Sequence, residues 1–461
     1  MFVPQALRVL RAKLQSLNRA GFVRSVGVLV GGTAFAQAIT VLVLPLLTRL
    51  YTPFDFSLLA VFASILSIIS VVACLRLEIA IPMPESDDEA ADLLALAFFS
   101  CTIAAATTGI TVGLFSKEIT ELIGQPSLQP HLWLLPLAVW LAAGYSATQF
   151  WSTRKKRFGI IAKSRITQSV GGACTQVAFG WIGVAPMGLL LGQTINSGAG
   201  LLNLLISAIR KDGNSLRRIS LRGMRRTLRK YDRFPKYSTF EAFANNAGLQ
   251  LPIILIAAAA IGPEAGYLML ATRAMAVPMG LIGGAIAQVY LSRAPEELRN
   301  GKLGLFSAEI LANLLKTGIG PLLFIGIVAP PCFAIVFGEK WERSGEIVTW
   351  MIPWFILQFM SSPISMVMHV VNKQRMMLAL TLFGLIVRLG SVILASHYAT
   401  KYLSEIYALS GGVFYLVCCW VFSQAAGVSG AAIKNMFRAN FPQLVCWVSI
   451  AFVLRIFFYM I

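Results

Sequence analysis

Long apolar runs alternate with short polar breaks along nearly the whole chain. A helix that spans a bilayer needs about 20 mostly apolar residues. By that measure spans lie near 26–48, 57–82, 92–115, 131–152, 167–185, 187–209, 238–261, 265–290, 312–337, 347–370, 376–396 and 404–424, with a further one at 442–460. The pattern predicts an all-α polytopic membrane protein with an extra helix at the C-terminus. Residues 1–25 are amphipathic and basic (Arg8, Arg11, Lys13, Arg19, Arg24). They read as a cytoplasmic N-terminus lying on the membrane surface rather than as a cleaved leader.

The most basic polar break, 210–237, divides the spans into two sets of six: 26–209 and 238–424, followed by 425–461. The halves echo each other. LTRLYTPFDFSLLAVFASIL (47–66) and AAIGPEAGYLMLATRAMAV (259–277) each place a proline and an acid before a new span: Pro53 with Asp55, and Pro263 with Glu264. The first helix of each half carries a polar stripe. Thr33, Gln37 and Thr40 share one face; Ser238, Glu241 and Asn245 share another, with Asn246 and Gln250 beside them. An even number of spans per half makes this a parallel repeat, and in such folds the substrate path runs between the halves.

Charge sets the orientation. Lysine and arginine accumulate on the cytoplasmic side of membrane proteins. With the N-terminus inside, the inner segments hold 29 of them and the outer loops 5. The same asymmetry accounts for most of the +19 net charge in a chain only 13% charged and 57% hydrophobic, so nucleic-acid binding is not required. The segment 210–237 reads as topology plus contact with anionic lipid headgroups. All seven cysteines fall in apolar runs without metal-ligand spacing, and the three histidines are isolated, so neither metal nor cofactor is expected. No enzyme signature appears: there is no phosphate-binding glycine loop, no HExxH, and the outer loops are short.

The distinctive groups are charges inside the spans. A charged side chain at the centre of a bilayer costs roughly 2.5–3.5 kcal/mol on insertion scales, and such groups face a partner or a cavity. Arg76, Arg273, Lys316 and Arg388 are the candidate cations of a substrate cavity; Gln37, Asn245 and Asn246 form its polar face. Glu78, Glu241 and Glu309 are candidate carriers of a coupling ion. On a continuous helix Arg76 and Glu78 would point about 200° apart, so they are not expected to pair or to share a cavity. The acids at 85–89 follow a different logic. Ser86-x-x-Glu89 reads as a capping box, with Asp87 and Asp88 in the first helical turn. Gly188 and Gly192 indicate close helix packing.

VGVLVGGTAFAQAITVLVLPLLTRLYTPFDFSLLAVFASI (26–65), ACLRLEIAIPMPESDDEAADLLAL (73–96), GPEAGYLMLATRAMAVPMGLIGGAIAQVYLSRA (262–294) and FGEKWERSGEIVTWMIPWFILQFMSSPISMVMHVVNKQ (337–374) resemble Wzx-type flippases. These are the oligosaccharide flippases of the MOP (MATE-like) superfamily, and the resemblance covers nearly all of 20–424. It implies two pseudo-symmetric six-helix lobes with alternating access and a cationic central cavity. It implies as cargo an undecaprenyl-pyrophosphate-linked oligosaccharide, moved from the inner to the outer leaflet of the bacterial inner membrane for O-antigen or exopolysaccharide synthesis. A polysaccharide polymerase and a chain-length regulator are the partners it suggests. Competing readings are a lipid II flippase, a MATE-like exporter of cations, which would show deep acids rather than deep arginines, and a membrane enzyme of polysaccharide assembly (a polymerase or ligase).

Overall fold

The computed structural model describes residues 27–260, 262–371 and 373–460, and the basic segment 1–25 lies outside them. Among the described residues there is no strand. Six long helices form the first lobe: α1 (Gly27–Leu50), α2 (Pro53–Ala73), α3 (Asp87–Leu122), α4 (Leu134–Arg154), α5 (Phe158–Trp181) and α6 (Met187–Leu216). A surface helix, α7 (Leu221–Lys230), links them to the second. The second lobe comprises α8 (Thr239–Ala259), α9 (Glu264–Arg299), α10 (Leu303–Phe337), α11 (Glu342–Ile364), α12 (Gln374–Tyr398) and α13 (Leu403–Ala426). The last helix, α14 (Gly430–Met460), begins twelve residues before the expected 442 and packs along α10, where Trp447 meets Phe324 edge to face at 5.8 Å. Among the described residues ten helices are long and apolar enough to cross a membrane. The protein is a multi-pass membrane protein. The long helices α4, α5 and α9 are not among the ten, and polar stripes dilute the first two.

Local chemistry explains the boundaries. Thr52 and Asp55 form a reciprocal capping box at α2: the Asp55 amide donates to Thr52 Oγ1 (3.3 Å) and the Thr52 amide to Asp55 Oδ2 (2.8 Å). Pro263 and Glu264 open α9 at the equivalent place in the second lobe, as the sequence echo predicts. Ser86 caps α3 by accepting from the Glu89 amide at 3.2 Å, but the return half of the expected box is missing because Glu89 pairs with Lys230 instead (2.6 Å). The glycine-rich stretch does what close packing requires. A Cβ on Gly172 would meet Asn196 and the Gly192 carbonyl, and one on Gly192 would meet Gln176 and the Gly172 carbonyl.

The lobes meet along α2, whose Phe56, Leu59, Val61 and Phe62 are fully buried and which packs against both α8 and α9. At one end of the bundle, here the basic end, the acids of α3 hold the charged loops. Arg154 donates to Asp87 (3.1 Å) and to the carbonyls of Pro84 and Glu85; Arg157 grips Asp212 through two bonds of 2.6 and 2.7 Å. Exposed ion pairs contribute little, but the Arg154 side chain is 11% exposed and satisfies four acceptors, Asp87 and the carbonyls of Pro82, Pro84 and Glu85. Arg154→Ala is therefore expected to lower stability by about 2–3 kcal/mol, since bonds to a charged group are worth about 1.5–3 kcal/mol. Thermal unfolding of the detergent-solubilised chain checks this; an unchanged midpoint would contradict it.

The opposite, far end is closed between the lobes. Trp341, at the start of α11, is fully buried; its Nε1 donates to the Thr48 carbonyl (3.1 Å), and its ring lies edge-on to Phe56 at 4.8 Å and Tyr267 at 6.0 Å. Arg49 donates to the Ile335 carbonyl (3.2 Å) and Gln125 to the Ala257 carbonyl (2.9 Å). Within the second lobe, Arg343 joins Glu264, Glu346 and Glu405 at 2.6–2.9 Å, fastening the ends of α9, α11 and α13.

One expectation fails in a revealing way. The second span does not run unbroken to 82: α2 ends at Ala73, and Leu75 (φ 52°) and Arg76 (φ 58°) adopt the left-handed conformation before a short helix, Leu77–Ala80. The break removes the helical geometry that would have separated Arg76 from Glu78. The two instead form an ion pair, Nη1 to Oε1 at 3.6 Å, and line one cavity together.

Candidate substrate cavities

Among the cavities formed by the described residues, two polar ones between the lobes are lined by the candidate residues. The first, about 490 Å³, is bounded by Thr33, Gln37 and Thr40 of α1, so the predicted stripe faces it. Helix α4 adds Tyr145 and Gln149, α5 adds Arg165 and Gln168, α6 adds Gln193 and Asn196, and α9 supplies Arg273 across the lobe boundary. Arg273 Nη2 donates to Gln193 Oε1 at 2.8 Å, and Arg165 Nη1 donates to Thr33 Oγ1 at 2.9 Å. The residues lining this cavity include no carboxylate, and neither arginine is in an ion pair among the described residues. A guanidinium withdrawn from water without a counter-charge is costly. Two of them line this cavity, and the planar guanidinium fork is the shape that pairs with carboxylate or phosphate oxygens.

The second cavity, about 690 Å³, lies between α2, α4 and α8 towards the basic end. The stripe predicted on the first helix of the second half, Ser238, Glu241, Asn245 and Asn246, lines it. Asn246 Nδ2 donates to the Ser67 carbonyl (2.6 Å), tying α8 to α2. Arg76 and Glu78 form the opposite wall, where Glu78 is 3% exposed.

The remaining candidates sit elsewhere. Arg388 is 5% exposed and stands over the rings of Phe414 (4.4 Å), Trp354 (5.3 Å) and Tyr415 (5.5 Å) inside the second lobe. Cation–π contacts are worth about 0.5–2 kcal/mol each, while Arg388 Nε and Nη2 are buried without a hydrogen-bond partner among the described residues. Lys316 lies on a wide helical turn (Leu315–Ile319) with an exposed side chain beside α14, whose Gln443 donates to the Lys316 carbonyl. Glu309 is exposed on α10. Of the four candidate cations, the structure brings Arg273 and Arg76 to the interlobe space, in different cavities. Arg165 was missed because 153–165 reads as a basic loop, yet α5 begins at Phe158 and carries Arg165 two turns into the helix. A signal was present: Arg165, Gln168, Ser169 and Gln176 fall on one helical face. Among the described residues no group of three His, Cys, Asp or Glu could hold a metal ion.

Two six-helix lobes around polar cavities, closed at one end, define the architecture. Solved structures share it. Over 94% of this chain and 97% of the other, the fold matches "Lipid II flippase MurJ, inward closed conformation" with a TM-score of 0.71 at 11% identity. It matches an inward-facing multidrug resistance MATE family transporter of the MOP superfamily with a TM-score of 0.55 at 16% identity (88% and 95% covered). A mutant of the Vibrio cholerae MATE transporter VcmN follows at 0.52 and 12% identity (91% and 96% covered). Residues 46–346 match the family model described as "Polysaccharide biosynthesis protein", and the chain belongs to that family. No curated protein matches it in sequence.

Proposed function

We propose that the chain is a flippase carrying undecaprenyl-pyrophosphate-linked oligosaccharide from the inner to the outer leaflet of the bacterial inner membrane by alternating access. The observation that carries this reading is the first cavity: two arginines from opposite lobes, neutral hydrogen-bonding groups around them, and no carboxylate in the lining. Pyrophosphate is the anionic part of the cargo, and the polyprenyl tail stays in lipid at the lobe boundary. An exporter of cations would need the opposite polarity. The family's link to polysaccharide biosynthesis supports the saccharide cargo, and a polysaccharide polymerase and a chain-length regulator are then natural partners.

The basic end, with the loops around Arg154 and α7, is the cytoplasmic one in this reading, and the far end closed by Trp341 is the external gate. The state described is thus closed outward. Moving negative charge outward across an inside-negative membrane gains about 2.3 kcal/mol per charge per 100 mV. Resetting an empty arginine-lined cavity then calls for a compensating cation. Glu241 is the candidate carrier placed in the interlobe space without an ion pair among the described residues. Deleting the gene in its native host should cause lipid-linked oligosaccharide to accumulate on the inner leaflet and surface polysaccharide to fall. Normal surface polysaccharide in the deletion strain would refute the reading.

A further inference from the structure

The second cavity differs from the first in the chemistry of its wall. Ser67, Ser70, Ser146 and Ser238 bring hydroxyls, and Asn245 and Asn246 bring amides. Its charges nearly cancel: Arg76 and Glu78 stand 3.6 Å apart, and Glu241 is the one further carboxylate. Arg76 Nε and Glu78 Oε2 are both buried without a hydrogen-bond partner among the described residues. The backbone holds this pair in place through left-handed φ values at two consecutive non-glycine residues, Leu75 and Arg76. Strain of that kind concentrates at ligand-binding sites.

A wall of hydroxyls, amides and one ion pair offers donors and acceptors together, which suits a molecule whose groups both donate and accept, as hydroxyls do. Phosphate would meet Glu78 and Glu241, and a cation would meet Arg76. We propose that the second cavity binds the saccharide of the cargo, an inference that rests on the lipid-linked oligosaccharide reading above. Helix α4 shows how one headgroup reaches both sites. Ala142, Tyr145, Ser146 and Gln149 occupy positions i, i+3, i+4 and i+7, one continuous stripe. Ala142 and Ser146 line the second cavity, Tyr145 and Gln149 the first. That stripe is about 10 Å long at 1.5 Å per residue. Pyrophosphate between Arg165 and Arg273 therefore leaves the first sugars beside Arg76 and Glu78, against a ring, Phe234, that also lines the cavity.

The test uses the full chain in nanodiscs. The probe is the water-soluble oligosaccharide released by mild acid from the lipid-linked pool of the deletion strain, detected by saturation-transfer NMR. The free sugar should bind the wild type, and inorganic pyrophosphate should not displace it. Asn245→Leu and Ser146→Leu, which cover polar wall with hydrocarbon, should each weaken binding at least tenfold while melting like the wild type. No binding to the wild type, displacement by pyrophosphate, or variants that fold and bind normally would each overturn the saccharide site. So would sodium binding at Glu78 and Glu241 with no sugar bound. If the deletion strain accumulates lipid-linked oligosaccharide and the sugar fails to bind, only the site falls. Without accumulation both readings fall.

Discussion

Replacing Arg273 with alanine is expected to leave the protein in the membrane at normal levels and to slow translocation sharply. Arg273 reaches across the lobe boundary to Gln193 and stands in a cavity whose lining holds one other cation, Arg165. A hydrogen bond to a charged group is worth about 1.5–3 kcal/mol, and every 1.4 kcal/mol is a factor of ten. Loss of this contact to pyrophosphate should thus reduce translocation by about 10- to 150-fold. Arg273→Lys should recover part of that, because an ammonium keeps the charge and loses the fork. Arg165→Ala should act in the same direction. The double variant should fall short of the summed effects, because the two groups share one ligand. The readout is inner-leaflet lipid-linked oligosaccharide together with surface polysaccharide, normalised to protein in the membrane. Normal export by Arg273→Ala would remove the anion-site assignment.

The second large effect is expected at the far end. Trp341 fills the junction between Phe56, Tyr267 and the Thr48 carbonyl, and it is the largest side chain buried where the lobes close. Truncating a buried tryptophan to alanine costs about 3–5 kcal/mol. Most of that cost should fall on the state in which the far end is shut, because that state owns the Thr48 and Phe56 contacts. Trp341→Ala should therefore shift the population towards opening at this end by a factor of about 100 or more. A cysteine at Thr48, 6% exposed here, reports it: thiol labelling from the outside should rise sharply in the variant. Unchanged labelling would mean that Trp341 does not control the gate.

Much of the architecture is legible in the apolar pattern because a bilayer leaves the backbone few options. The spans, the equivalent capping sites at Thr52–Asp55 and Pro263–Glu264, and the polar stripes on α1 and α8 are all periodic or local signals. The failures have a common cause as well. The interruption after Ala73 comes from left-handed residues at Leu75 and Arg76, neither of them glycine, and no turn residue announces it. Without that interruption Arg76 and Glu78 read as opposed rather than paired. Arg165 hides among loop arginines because a charge count does not say where a helix begins. For Arg388, depth alone is visible in sequence, and its surroundings are not. Its aromatic neighbours come from α11 and α13, more than 20 residues away in either direction. What sequence shows least is which helix faces meet, and the cavities are made of those faces.

Translocation in proteoliposomes tests the central claim most directly. Purified protein is reconstituted with undecaprenyl-pyrophosphate-linked oligosaccharide in both leaflets, and the outward-facing sugars are oxidised with membrane-impermeant periodate. The protected fraction is expected to become reactive with time in wild-type vesicles and to stay protected with the Arg165→Ala, Arg273→Ala double variant. Wild-type vesicles that behave like empty ones, or a double variant as fast as the wild type, would contradict that claim.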